Sequence, residues 1–326
     1  MRLHTLGIGL VALAIVAAGT PAQLAAEQPD KAADILAQAR KAIGAGKLES
    51  LKTFSAEGRT QRNVGAMQLN AEVELLLALP DKYLRSESSA GGPVNFSSTS
   101  GFNGDRPLAR TGTGAHGGMV VVMGPGGAAP GQTPTPEQQA EMDRVALRVA
   151  RQDASRLMLG WFGMAHPALD VTYTYAGEAE SPDGKADVID AKGADGFNAR
   201  LFIDQQTHLP LMLTYQGPQR RVMTAGSPMA FTSAGGAQVQ SSSRPMSDED
   251  RKKMNDGVQK QMEQMRNEPP AMVEYRMFFA DWTDVDGIKL PMKLQRATVG
   301  TTDEEWTITK VKVNPKIDLK RFESQS

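Results

Sequence analysis

At 326 residues, with 36 basic and 37 acidic side chains, the chain is long enough for one large domain or two small ones. It carries no charge excess that would select nucleic acid or an anionic membrane surface as its partner. The absence of cysteine excludes a disulfide framework, a thiolate metal site and a cysteine nucleophile. Aromatic residues make up only 6% against 40% hydrophobic residues overall, so the expected core is aliphatic and Met-filled.

Taken in chain order, the first segment is a targeting signal. Arg2 and His4 precede an apolar run over residues 6–18, and small residues follow in GTPAQLAAEQ. This is the charged, apolar and small-residue order of a secretory signal. The run is shorter than the span of about 20 residues that crosses a bilayer as a helix. The expectation is a signal peptide over residues 1–26, with cleavage after Ala22 or Ala26. A retained N-terminal anchor helix is the alternative. The mature chain is expected to be exported, periplasmic and soluble. Without a cysteine to modify it is not lipid-anchored.

Residues 31–44 predict a helix. Ala32, Ile35, Leu36, Ala39 and Ile43 share one face, Asp30 stands at its start, and Gly44 and Gly46 end it. A first strand is expected over residues 51–62. The next is clearer, because Leu69, Ala71, Val73, Leu75, Leu77 and Leu79 alternate with polar Gln68, Asn70, Glu72 and Glu74. Period-two patterning of this kind describes a sheet with one wet face. A hairpin follows around residues 93–108, with Asn103-Gly104 as its turn.

Residues 110–136 are rich in Gly, Pro and Thr and read as an irregular insertion, with a short apolar strand at 119–123. Helical spacing returns over residues 137–162. Met142, Val145, Leu147, Val149, Leu157 and Leu159 predict a largely buried helix or pair of helices. Strands resume at 169–177, where Val171, Tyr173 and Tyr175 alternate with Thr172 and Thr174, and continue at 186–191, 197–204 and 209–215.

A second insertion spans 218–270. Its helical stretch places Met254, Val258, Met262 and Met265 on one stripe, opposite charged residues, with Gly257 inside and Pro269-Pro270 at its end. An amphipathic, Met-faced and loosely tethered helix is a candidate lid; a fixed surface helix is the alternative. Three strands close the chain. In the first two, Val273, Tyr275, Met277 and Phe279, then Ile288, Leu290, Met292 and Leu294, mark the apolar phase, with Asp286-Gly287 as the turn between them. About ten strands in hairpin order with three or four helices predict an α+β fold, an antiparallel sheet with helices packed on one side.

The chain is poor in catalytic signals. After the signal only His116, His166 and His208 remain, and none has metal-ligand spacing to another His or a carboxylate. No G-x-S-x-G elbow is present. The glycines of GPGGAAPG lack the Gly-Lys-Ser/Thr ending of a phosphate loop. No catalytic residue, metal or cofactor is assigned, and the expectation is a protein that is not an enzyme.

The segment FIDQQTHLPLML, with Ile203, Asp204, Thr207, Leu209 and Pro210, resembles a recurrent segment of the LolA-like periplasmic lipoprotein-sorting family. There a strand ends in an apolar-Asp pair, crosses a short polar turn and re-enters the sheet through Leu-Pro. The tail segments DGIKLPMKL (286–294) and ITKVKVNPKIDLKRF (308–322) are similar to the family's as well. The resemblance implies a single domain over residues 27–326, an open antiparallel half β-barrel with helices on its concave face. It also implies an apolar cavity for lipid or lipoprotein acyl chains. The candidate lining is Leu69, Ala71, Val73, Leu75, Leu77, Val171, Tyr173, Tyr175, Ile288, Leu290 and Met292. The family's lid-locking arginine has two candidates here, Arg59 and Arg62, and neither is assigned. The function this implies is a non-catalytic carrier. The alternative is an envelope protein-interaction or sensor module whose concave face is filled by its own helices.

Overall fold

The structure is a computed structural model that describes residues 28–64, 67–89, 96–113, 120–122, 135–182, 184–219, 222–224, 256, 271–298 and 301–323. The expected signal peptide, nearly all of the two insertions and the lid candidates Met254, Val258, Met262 and Met265 lie outside the described residues.

The described chain begins with helix α1 (Gln28–Ile43) and a single turn, α2 (Gly46–Glu49). Five strands follow: β1 (Thr53–Val64), β2 (Met67–Ala78), β3 (Lys82–Ser89), β4 (Phe96–Asn103) and β5 (Arg106–Thr113). A short strand, β6 (Val120–Val122), precedes the long helix α3 (Pro136–Phe162). Then come β7 (Val171–Ser181), β8 (Gly184–Gly193), β9 (Asn198–Asp204), β10 (Pro210–Pro218) and β11 (Val222–Thr224). The last three strands are β12 (Met272–Val285), β13 (Ile288–Thr298) and β14 (Thr301–Val313).

Twelve strands form one open antiparallel sheet in the order β5-β4-β3-β2-β1-β14-β13-β12-β10-β9-β8-β7, and β6 pairs with β11 separately. The first and last strands of the chain meet through β1–β14 at the centre of the sheet. The estimate of about ten strands is corrected to twelve in the main sheet. The hairpin β4–β5 is the expected one; the strand not anticipated is β3, whose inward phase after Tyr83 carries Arg85 and Glu87 in place of apolar residues. Among the described residues no helix is long and apolar enough to cross a membrane.

Helices α1 and α3 pack on the same face of the sheet. Ala32, Ile35, Leu36, Ala39 and Ile43 of α1 are buried, the face that the 3.6-residue period predicts. Helix α3 is a single helix. Thr135 caps it: its hydroxyl accepts from the Gln138 amide at 3.3 Å, and the Gln138 side chain accepts in return from the Thr135 amide at 2.9 Å. Gly163, at φ 64°, ends it in the left-handed region.

The expectation of a largely buried helix holds only for its second half. Residues 154–162 are buried, whereas Val149 is 46% exposed. In the first half Met142, Val145 and Leu147 are only half-buried. Close fitting marks the buried end. A Cβ added at Gly160 would lie 1.8 Å from the Phe279 ring, so only glycine lets this helix lie so close to β12.

The segment resembling the family motif is a turn. Asp204 Oδ1 accepts from the Thr207 amide at 2.6 Å, the Thr207 hydroxyl at 2.8 Å and the Gln206 amide at 3.1 Å. The Thr207 hydroxyl in turn accepts from the Leu209 amide at 3.3 Å. Its polar side chains satisfy local backbone donors. At the C-terminal end a short 3-10 turn (Leu319–Phe322) sets Phe322 against Leu76, Ala78, Leu84 and Leu108 on the outer face. That cover explains why the alternation of β2 breaks after Glu74, where both faces become apolar.

Candidate functional site

Strand alternation decides what points into the concavity. Pairing of Ala56 with Leu75, Leu75 with Arg85 and Arg85 with Ser100 puts one phase of β1–β4 on the helix-bearing face. Val73, Leu75, Leu77, Ile288 and Leu290 are buried in a single core with α1 and the second half of α3. Val171, Tyr173, Tyr175 and Met292 are half-buried and pack against that same core. Leu69 and Ala71 are buried as well, but apart from it. Glu72 and Glu74 point the other way, and Glu74 receives a two-pronged ion pair from Arg321 at 2.6 and 2.7 Å.

The apolar half of the concave face is therefore occupied. Phe162 and Trp161 of α3 meet Phe54 of β1 edge-to-face with centroids 5.2 Å apart. Leu159, Phe162, Leu201, Leu213 and Ile288 are fully buried. Among the described residues, the buried polar atoms under or beside α3 with no hydrogen-bond partner include Ser155 Oγ, Trp161 Nε1 and Tyr83 Oη. Burial pushes the Tyr83 phenol well above its ordinary range. Burial likewise pushes His166, edge-on to Phe102 at 5.0 Å, down to about 4, although the nearby Lys82 backbone favours its charged form.

Towards the Arg62 end of β1 the same inward phase turns ionic. Arg62 of β1, Arg85 and Glu87 of β3, Arg296 of β13 and Glu304 of β14 form one cluster. Arg62 donates to Glu304 at 2.7 Å and to Glu87 at 3.0 Å. Arg85 donates to Glu87 through Nε at 2.8 Å and to Glu304 through Nη2 at 3.0 Å, and Arg296 pairs with the second oxygen of Glu304. Glu304 is 1% exposed.

Strands β3 and β14 are separated by β2 and β1, so their backbones stand about 14 Å apart along the sheet. The Arg85–Glu304 bridge closes because concave curvature tips the two inward side chains together. Burial raises the Glu87 carboxyl, but Arg85 and Arg62 outweigh it and hold it below the usual carboxylate range, against an opposing push from Glu304. For Arg296, burial disfavours the charge, yet Glu304 holds the guanidinium above its ordinary value.

Rings and α3 wall this cluster. The Arg85 guanidinium lies 4.3 Å over Trp306, and Arg156 of α3 lies 4.0 Å over Tyr215, which stacks on Tyr275 at 5.1 Å. Between them is a cavity of about 20 Å³, lined in part by Arg85, Asp153, Arg156, Arg296, Glu304 and Trp306. A broader concavity of about 580 Å³ is lined mostly by polar residues of β1–β4, Glu57, Arg59, Glu72, Ser86 and Ser88 among them. Neither is an apolar space of acyl dimensions. Among the described residues no group of His, Asp and Glu has the arrangement of a metal site.

Sequence reasoning missed the ionic cluster, though its signal was present. Arg85 and Glu87 continue the phase of Tyr83, Arg296 continues that of Leu294, and Glu304 shares the phase of Trp306. Charges in the apolar phase of successive strands mark a buried network. The two candidate arginines also separate. Arg62 faces inward within the cluster, whereas the Arg59 side chain is 78% exposed and lies 4.0 Å from Glu72 on the outer face.

No family model matches the chain, and no curated protein matches it. Among solved structures it is similar to a DUF1329 family protein from Desulfovibrio piger ATCC 29098, at 10% identity and a TM-score of 0.42, covering 91% of this chain and 98% of that one. It is similar to a LolA superfamily protein from Nitrosomonas europaea, at 8% identity and a TM-score of 0.44, covering 90% and 97%. A third similar structure is a putative outer membrane lipoprotein-sorting protein domain from Vibrio parahaemolyticus, at 11% identity and a TM-score of 0.42, covering 90% and 97%.

Proposed function

We propose that this chain is a non-catalytic binding protein of the periplasm. Its half-barrel is closed by its own helices in the state described, and it takes up acyl chains of a lipid or lipoprotein when α3 leaves the concave face. The observation that carries this reading is the character of the α3 interface. Helices α1 and α3 share one apolar core with Val73, Leu75, Leu77 and Leu290, yet Ser155 and Trp161 of α3 and Tyr83 of β3 have unpartnered polar atoms. Each such group costs about 1–3 kcal/mol when buried. An interface that is apolar but incompletely satisfied is suited to exchange its helix for a ligand that needs no hydrogen bonds. Export rests on the charged, apolar and small-residue order of residues 1–26.

A second reading, a module that binds an envelope protein and never opens, is favoured by the fit of Gly160 against Phe279 and by the small size of the cavity beside α3. Native mass spectrometry of protein purified without detergent separates the two. The carrier is expected to arrive with lipid adducts, and to gain them when incubated with phospholipid vesicles. Because the chain has no cysteine, a spin-label pair at Val149→Cys on α3 and Leu211→Cys on β10 reports the helix position directly. A distance that lengthens when lipid binds supports the carrier. A clean apo mass with an unchanged distance overturns it in favour of the module.

A further inference from the structure

The geometry points to a binding site for one small monovalent anion, of chloride size, in the cavity between Arg156 of α3 and Arg296 of β13.

Three observations converge on it. The first is donor supply. Arg156 and Arg296 are 6% and 7% exposed, both line the cavity, and the Nε–H of each has no hydrogen-bond partner. Two buried guanidinium groups therefore border one small space without using all of their donors on the protein. The second is charge. Among the described residues four guanidinium groups, Arg62, Arg85, Arg156 and Arg296, gather with three carboxylates, Asp153, Glu87 and Glu304. One positive charge is left over. Arg156 is the least compensated, because its contacts to Asp153 and Gln152 are long, at 3.4 and 3.3 Å, and its face is spent on Tyr215. A buried unbalanced cation is costly, and a monovalent anion cancels it.

The third observation is size. About 20 Å³ admits roughly one water-sized or halide-sized occupant, since a water needs about 10–15 Å³ measured in this way. A phospholipid headgroup or a peptide carboxylate with its chain does not fit. The side chains of Tyr215 and Trp306 line the space as well. Such an anion joins α3 to the sheet through charge. The site belongs to the closed state described and would come apart if α3 left the concave face.

The experiment uses the full-length mature protein. Thermal midpoints are measured across a chloride series at constant ionic strength, with gluconate, which is too large for the cavity, as the replacement anion. The midpoint is expected to climb with the logarithm of chloride, by roughly 5 °C or more at about a hundredfold excess over the dissociation constant. Crystals grown without halide and soaked in bromide are expected to show an anomalous peak in the cavity between the Arg156 and Arg296 guanidinium groups. Arg156→Gln is expected to fold, by circular dichroism, and to lose the chloride dependence. A water in the cavity, with equal midpoints in chloride and gluconate, overturns the assignment. So does a chloride dependence that persists in Arg156→Gln with no bromide peak between the two arginines. If Arg156→Gln does not fold, the bromide peak in the wild-type protein decides alone.

Discussion

The two halves of the concave face are built from the same strands in the same alternation, yet they are held together by different physics. Around Leu75, Leu77, Ile288 and Phe162 the inward phase is aliphatic and aromatic, and cohesion comes from area removed from water. A few residues further along the same strands, at Arg62, Arg85, Glu87, Arg296 and Glu304, the inward phase is charged and cohesion comes from pairing. The apolar half tolerates exchange of one hydrocarbon for another, because dispersion and hydrophobic burial have no direction. The ionic half does not, because each buried charge is stable only while its partner stays in place. A protein that must let a helix go while keeping its sheet curved gains from this division. On the proposed reading the apolar half releases α3 while the Arg85–Glu304 contact still ties β3 to β14.

The sharpest test of that division replaces one residue on each side with the same side chain. Arg85→Met strips a guanidinium from Glu87 and Glu304 and is expected to cost about 3–5 kcal/mol. Leu75→Met conserves volume in the apolar half and is expected to cost less than about 1.5 kcal/mol. Urea unfolding of both variants against wild type measures the difference. Equal losses would remove the distinction between the halves.

The two halves should also titrate in different windows. In the apolar half, His166 is held neutral, with its proton leaving at about 4 in the fold against about 6.5 in the unfolded chain. Between these values the unfolded chain binds the extra proton, so stability falls as pH falls, by about 3 kcal/mol across the window. His166→Gln should flatten the urea midpoint between pH 6.5 and 4. In the ionic half, Glu87 has a depressed carboxyl, so its contribution is complete above the unfolded value of about 4.3. It is lost only as pH falls below that, towards the folded value. Glu87→Gln should therefore lower stability throughout, leave the pH slope in the His166 window intact and change the slope only on the acid limb.

The smallest expected effects separate the two arginines three residues apart on β1. Arg62→Ala removes charged hydrogen bonds to Glu87 and Glu304 and is expected to cost about 1.5–3 kcal/mol. Arg59→Ala loses an exposed contact to Glu72 and is expected to change stability by less than about 1 kcal/mol. A comparable loss at Arg59 would mean that the outer face contributes as the concave face does.

Much of the fold was legible in the sequence, because it rests on periodicity. The alternation in β2 gave the inward phase of Val73 and Leu75, the 3.6-residue spacing of α1 gave its buried face, and Asp204 with Thr207 gave a turn. These are local properties, fixed by backbone geometry and by side chains a few residues apart. What tertiary structure alone decided is what fills the concavity and which charges meet. Leu75 and Leu77 read the same from sequence whether a helix or a ligand covers them, since burial against either needs the same hydrocarbon. The cluster joins residues as far apart in the chain as Arg62 and Glu304, and Arg156 approaches it from a helix between them. β1, β13 and β14 each carry one of these charges in the inward phase, and β3 carries two, Arg85 and Glu87. Only the curl of a twelve-stranded sheet brings those charges to one place, where low polarity makes the pairing strong and the one leftover charge costly.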